Sequence, residues 1–174
     1  MSKHLGPLLK LDNTGTKWYR KVANVGDTMI SANTLCEFAY AANNSTYRIN
    51  ALPSLSGDYN LVRPFSGQAT AYKAGRVTIA GVASNNISTY NAIVHTGLQQ
   101  GWVQFKGIAP ISSRCAVTAG SAVIPSSSTN ATGIGHIMMA AGIEDAMSAG
   151  IGLCVSSHGV KNGNGWTWVY LTLP

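Results

Sequence analysis

The chain has 174 residues, 45% of them hydrophobic, which is enough for one packed domain and too apolar for a disordered segment. Charged residues make up only 10%, 12 Lys and Arg against 6 Asp and Glu, where soluble domains average ~25%. So few charges cannot dress the solvent faces of a helical bundle, and six carboxylates leave little material for paired-carboxylate hydrolysis or an oxygen-ligated metal site.

In chain order, residues 1–27 are polar and basic and read as an N-terminal arm, carrying Lys3, Lys10, Lys17, Arg20 and Lys21 with Asp12 and Asp27 as the acidic residues. Within the arm, Lys10, Lys17, Trp18, Tyr19, Arg20 and Lys21 are candidate interface residues, suited to lying on an acidic partner surface. Residues 28–69 read as an irregular connecting region, with Pro53, Gly57, Pro64 and Gly67 among isolated apolar residues. Over 33–39 the pattern allows either a short helix capped by Asn33 or a strand.

Residues 70–174 read as the β-rich core domain. Residues 76–83 form a β-rich run closed by a turn at 84–86, and 90–96 alternate up to Gly97. Residues 101–107 show clean period two, with Val103 and Phe105 on one face and Gln104 and Lys106 on the other. Short apolar pieces follow at 116–124, 134–141 and 151–156, with a helical turn up to Ala149 beside Glu144 and Asp145. The last strand, 166–173, carries Trp166, Trp168 and Tyr170 on one face and Val169, Leu171 and Leu173 on the other. Bulky apolar groups on both faces call for cover on both, either inside a sandwich or against an arm, a second layer or a neighbouring subunit; this makes Trp166, Trp168 and Tyr170 candidate interface residues too. A loose echo between residues 79–84 and 151–156, each followed by a Gly-Trp strand, suits two related β-units in one barrel or sandwich. The predicted fold class is mainly β: an antiparallel barrel or sandwich with at most one or two short helices.

Catalytic signatures are missing. No phosphate-binding loop, dinucleotide fingerprint or zinc-protease string is present, and Ser148 lacks the first glycine of a nucleophile elbow, so it reads as a turn serine. His4, His95, His136 and His158 are dispersed. Three cysteines, Cys36, Cys115 and Cys154, show no zinc spacing and suit a reducing compartment, with Cys154 a small buried residue. The start of the chain is too broken for a signal peptide and no stretch reaches the length of a membrane span, so synthesis in a cytoplasm and no membrane partner are expected. No catalytic, cofactor or metal site is expected, and the scattered basic residues do not form a nucleic-acid footprint.

Four elements in order resemble small virion proteins of tailed bacteriophages, of the head decoration or capsid cement type: Gly81-Val82-Ala83, Gly101-Trp102-Val103-Gln104, Val117-Thr118-Ala119-Gly120-Ser121 and Gly150-Ile151-Gly152-Leu153. The resemblance covers about residues 70–174 and leaves 1–69 unmatched. It implies a β-rich, non-enzymatic homo-oligomer, a trimer, bound to the major capsid protein on the outside of a virion and stabilising it. A receptor- or glycan-binding module of a phage tail or fibre shares the same low-charge texture, with Trp166, Trp168 and Tyr170 stacking on sugar rings.

Overall fold

The computed structural model describes residues 9–24, 26, 28–39, 60–65, 79–88, 100–113, 115–126, 136–157 and 165–174. These form strands β1 (Leu9–Leu11), β2 (Trp18–Asn24), β3 (Leu35–Phe38), β4 (Asn60–Pro64), β5 (Ile79–Ala83), β6 (Gln100–Ser113), β7 (Ala122–Pro125), β8 (Ile137–Met139), β9 (Gly152–Ser157) and β10 (Gly165–Thr172), with helix α1 (Ile143–Ala149) between β8 and β9. The protein is mainly β, with one short helix among the described residues, as its composition predicts.

The 14-residue β6 is the spine. Its first half pairs antiparallel with β2, from Ala23 opposite Gln100 to Trp18 opposite Lys106, and with β5 through Val82 opposite Gln104. Strands β2 and β4 run parallel, and β4–β3 and β3–β5 are antiparallel, so β2-β4-β3-β5-β6 closes a five-stranded barrel. The second half of β6 pairs with β10, from Thr172 opposite Lys106 to Gly165 opposite Ser113. The sheet continues through β9, β7 and β8, and β8 returns to β6 by a single parallel pair, Ser113 opposite Ile137. One long strand thus belongs to two closed sheets.

Two apolar cores follow from this sharing. The smaller gathers Val22, Ile30, Cys36, Val62, Ala80, Ala83, Ile87 and Val103. The larger extends from Leu35, Phe65, Ile79 and Val82 across Phe105 and Ile111 to Ile151, Val169 and Leu171. Strand β5 is buried on both faces, sending Ile79 and Val82 to the larger core and Ala80 and Ala83 to the smaller. Such double burial explains its unbroken run of apolar residues.

At Gly107 the backbone takes φ +87°, and a Cβ there would collide with the Thr16 carbonyl oxygen. The pairing of β2 with β6 shifts register next to it, between Trp18 and Tyr19. A glycine in this conformation lets β6 bend without breaking. Gln104 braces the bend: its Nε2 donates to the carbonyls of Lys106 and Ile108, both at 3.0 Å.

Residues 9–24 are not an arm. Strand β2 is a wall of the barrel, and β1 pairs with it from Leu9 opposite Arg20 to Leu11 opposite Trp18. The basic residues that suggested a solvated segment lie on aromatic rings. The Arg20 guanidinium is 4.0 Å from the centre of Phe105 and 5.2 Å from that of Phe38, and it donates to the Pro174 oxygen. The Lys10 ammonium is 4.2 Å from the centre of Trp102 and 5.1 Å from that of Tyr19. Such cation–π contacts let cations sit on a barrel wall. Residues 28–39 and 60–65, read as part of an irregular connection, supply β3 and β4, tied by a 2.6 Å ion pair between Arg63 and the buried Glu37. Of the two readings over 33–39 the strand holds, because Asn33 adopts φ 62° in a turn rather than capping a helix. The alternating run at 90–96, and residues 1–8, 40–59 and 66–78, lie outside the described residues. Among the described residues, the apolar pieces at 116–124 and 134–141 give the short β7 and β8.

The β1–β2 turn is organised by Asp12, whose carboxylate accepts from the Thr14 hydroxyl at 2.7 Å and from the N–H groups of Thr16 and Lys17 at 2.8 and 3.0 Å. These bonds, that from Thr14 foremost, bring its pKa down to about 2. Because the folded value lies below the ordinary carboxylate value of ~3.9, the turn keeps its full stabilisation above that pH and loses it as pH falls toward 2. An acid titration followed by NMR should show the Thr16 and Lys17 amides shifting only near pH 2, and Asp12→Asn should abolish that transition.

Thr167 is fully buried on β10, and its Oγ1 has no partner among the described residues. Thr167→Val removes an unsatisfied hydroxyl at constant volume. It should raise stability by about 1 kcal/mol, read as a Tm increase of about 2–4 °C.

Candidate functional site

Two surfaces beside the spine carry some of the sequence-selected residues, and the others are half-buried on β1 and β2. Lys10, Trp18 and Arg20 pack against aromatic rings of the barrel wall. Trp18 packs edge-on against Phe105 with centroids 6.4 Å apart and the planes at 68°, and the Lys106 ammonium lies 5.9 Å from the Trp18 centroid. Burial lowers the Lys10 pKa. Lys21 is half-buried on β2, opposite Trp102.

The first surface is the outer face of β6, β10 and β9. Tyr170 lies opposite Ile108 on β6 and Leu153 on β9. Tyr170 and Leu153 are each about half exposed, and Ile108, Val155 and Trp166 are only slightly less so. The inner face of β10 (Thr167, Val169, Leu171) is buried, so the last strand is covered on one side and open on the other. Sequence reasoning placed Trp166 and Tyr170 here but missed Ile108, Leu153 and Val155. The strand was ended at Gly107, whereas β6 continues to Ser113 and brings Ile108 outward.

The second is a cleft of about 240 Å³ where β2, β5, β6 and β10 converge. Lys17, Tyr19, Asn33, Ser84, Gln104 and Trp168 line it, with Val82 and Ala83 contributing apolar surface. It brings Lys17 and Tyr19 from one end of the chain together with Trp168 from the other. Trp168 is held by an edge-on contact with Trp166, centroids 5.5 Å apart at 64°. Burial, followed by the negative charge of Asp12, raises the Tyr19 pKa, so the phenol stays protonated. Asn33, Ser84 and Gln104 carried no sequence signal for this site; only the closure of the barrel assembles them.

Elsewhere, α1 exposes Ile143 and Met147, one turn apart, at 79% and 76%. Ser148, read as a turn serine, lies on this helix and donates to the Glu144 carbonyl at 2.8 Å. The three cysteines are free thiols. Burial pushes the Cys36 pKa up to about 12 and raises that of Cys154, so both are held in the unreactive thiol form. Among the described residues no group of three or more His, Cys, Asp or Glu side chains is placed to hold a metal ion; His4, His95 and His158 lie outside them.

No family model matches the chain, and no curated protein is similar to it in sequence. Its fold is similar to the crystal structure of the base of the head fibre protein gp8.5 of bacteriophage phi29, with a TM-score of 0.51 over 88% of this chain and 92% of that one, at 7% sequence identity.

Proposed function

We propose that the protein is a structural component of a bacteriophage head, bound as a homo-oligomer, a trimer, to the major capsid protein on the outer surface, where it stabilises the shell without catalysing a reaction. The observation that carries this reading is the fold likeness to a head fibre base, which extends over nearly all of that base. Composition supports it independently. A chain with 10% charged residues and an outer sheet face of Ile108, Leu153, Val155, Trp166 and Tyr170 suits neutral, apolar contacts with copies of itself or with a shell. Stabilisation is then a matter of linkage: a protein that binds only the assembled shell lowers the free energy of that shell by mass action.

A second reading, the base of a head fibre, is favoured by the fold likeness to a structure that is itself a head fibre base. It shares the location and differs in number and effect. Quantitative mass spectrometry of purified virions, with thermal disruption of heads carrying and lacking the protein, separates the two. The capsid-stabilising role predicts a copy number comparable to that of the major capsid protein and a lower disruption temperature when the protein is missing. Few copies and an unchanged disruption temperature would favour the fibre base, and absence from heads would contradict both.

A further inference from the structure

We propose that the cleft beside β6 binds a single pyranose ring of a glycan, with Trp168 and Tyr19 as its aromatic walls and Asn33, Gln104 and Ser84 as its hydrogen-bonding groups. The cleft adjoins the outer sheet face, since Trp168 and Pro110 stand on the same side of β10 and β6 as Tyr170 and Ile108, and the inference holds whether the protein coats a head or carries a fibre.

Size is the first argument. A volume of about 240 Å³ falls just below the ~300–1,000 Å³ of pockets for drug-sized ligands, which suits one sugar ring rather than a larger molecule.

Chemistry is the second. A pyranose presents an apolar C–H face and a rim of hydroxyls that both donate and accept. Indole and phenol rings offer flat, electron-rich surfaces to such C–H groups, while amide and hydroxyl side chains provide donors and acceptors together. Among the described residues that line the cleft there is no carboxylate, and Lys17 is the one cation. A phosphate ligand would call for more positive charge, whereas one ammonium at a rim can serve a sugar hydroxyl or a uronic carboxylate.

Preorganisation is the third. Gln104 is only 5% exposed, and both N–H bonds of its amide are committed to the Lys106 and Ile108 carbonyls. Its Oε1 is therefore a fixed acceptor with no donor among the described residues. Asn33 is pinned through its backbone: its N–H donates to the Ala83 carbonyl at 2.9 Å, and its own carbonyl accepts from the Ser112 N–H at 2.7 Å. Its side-chain amide has no hydrogen-bond partner among the described residues. Polar groups held in place before binding cost little entropy when a ligand arrives.

The sequence suggested stacking of sugars on Trp166, Trp168 and Tyr170 together. Only Trp168 of the three lines the cleft, while Tyr170 stands on the outer face opposite Ile108 and Leu153.

Saturation-transfer NMR and isothermal titration of the full chain with the methyl glycosides of glucose, galactose, N-acetylglucosamine and glucuronic acid test the proposal. At least one should bind with a millimolar Kd. Asn33→Gly keeps the left-handed backbone and removes the amide; it and Trp168→Ala should each weaken that binding about tenfold. Tyr170→Ala on the outer face should leave it unchanged. Thermal melts report folding, and if Trp168→Ala does not fold, the folded Asn33→Gly protein decides. Failure of all four glycosides to bind, or binding that Tyr170→Ala removes and Asn33→Gly does not, would overturn it.

Discussion

The structure depends on one strand serving two closed sheets. Strand β6 gives its first half to the barrel formed with β2, β4, β3 and β5 and its second half to the sheet of β10, β9, β7 and β8. A straight strand would carry one barrel's curvature into the other. The positive φ of Gly107 and the register shift beside it change the direction of the chain, and Gln104 fastens the backbone on either side of the bend. The larger core then runs unbroken across it, from Leu35 and Phe105 to Val169 and Leu171, so the two sheets share apolar burial as well as hydrogen bonds.

The two candidate surfaces lie beside this bend. Past Gly107, β6 turns Ile108 outward, where it meets Tyr170 and extends an apolar face to Leu153. Where the barrel meets β10, the walls part enough to leave the cleft between Tyr19 and Trp168. The two proposals use both features: the apolar face for assembly and the recess for a sugar ring.

Much of the β content was legible in the sequence. The alternation at 101–107, the apolar run of β5 and the two-faced β10 gave strands where strands occur, because period two and double burial leave clear residue patterns. The N-terminal half was misread for a physical reason. Trp18–Asn24 looks basic and polar, but its Arg20 covers Phe105 and Phe38, and Lys10 on β1 covers Trp102; a linear sequence does not say that a cation will find a ring. Gly107 closed the alternating run at 101–107, yet it lies inside one strand, in which Pro110 pairs opposite Trp168. The site was legible only in fragments. Lys17, Tyr19 and Trp168 could be singled out as residue types, but Asn33, Ser84 and Gln104 join them through barrel closure, which no local pattern encodes.

Native-state hydrogen exchange along β6 tests the central claim most directly. If one strand unites the two sheets, the amides on both sides of Gly107 should exchange with the same free energy, at the level of global unfolding, and Gly107→Ala should lower both together. Two separate exchange levels, with the half paired to β2 and β5 opening independently of the half paired to β10, would contradict the account.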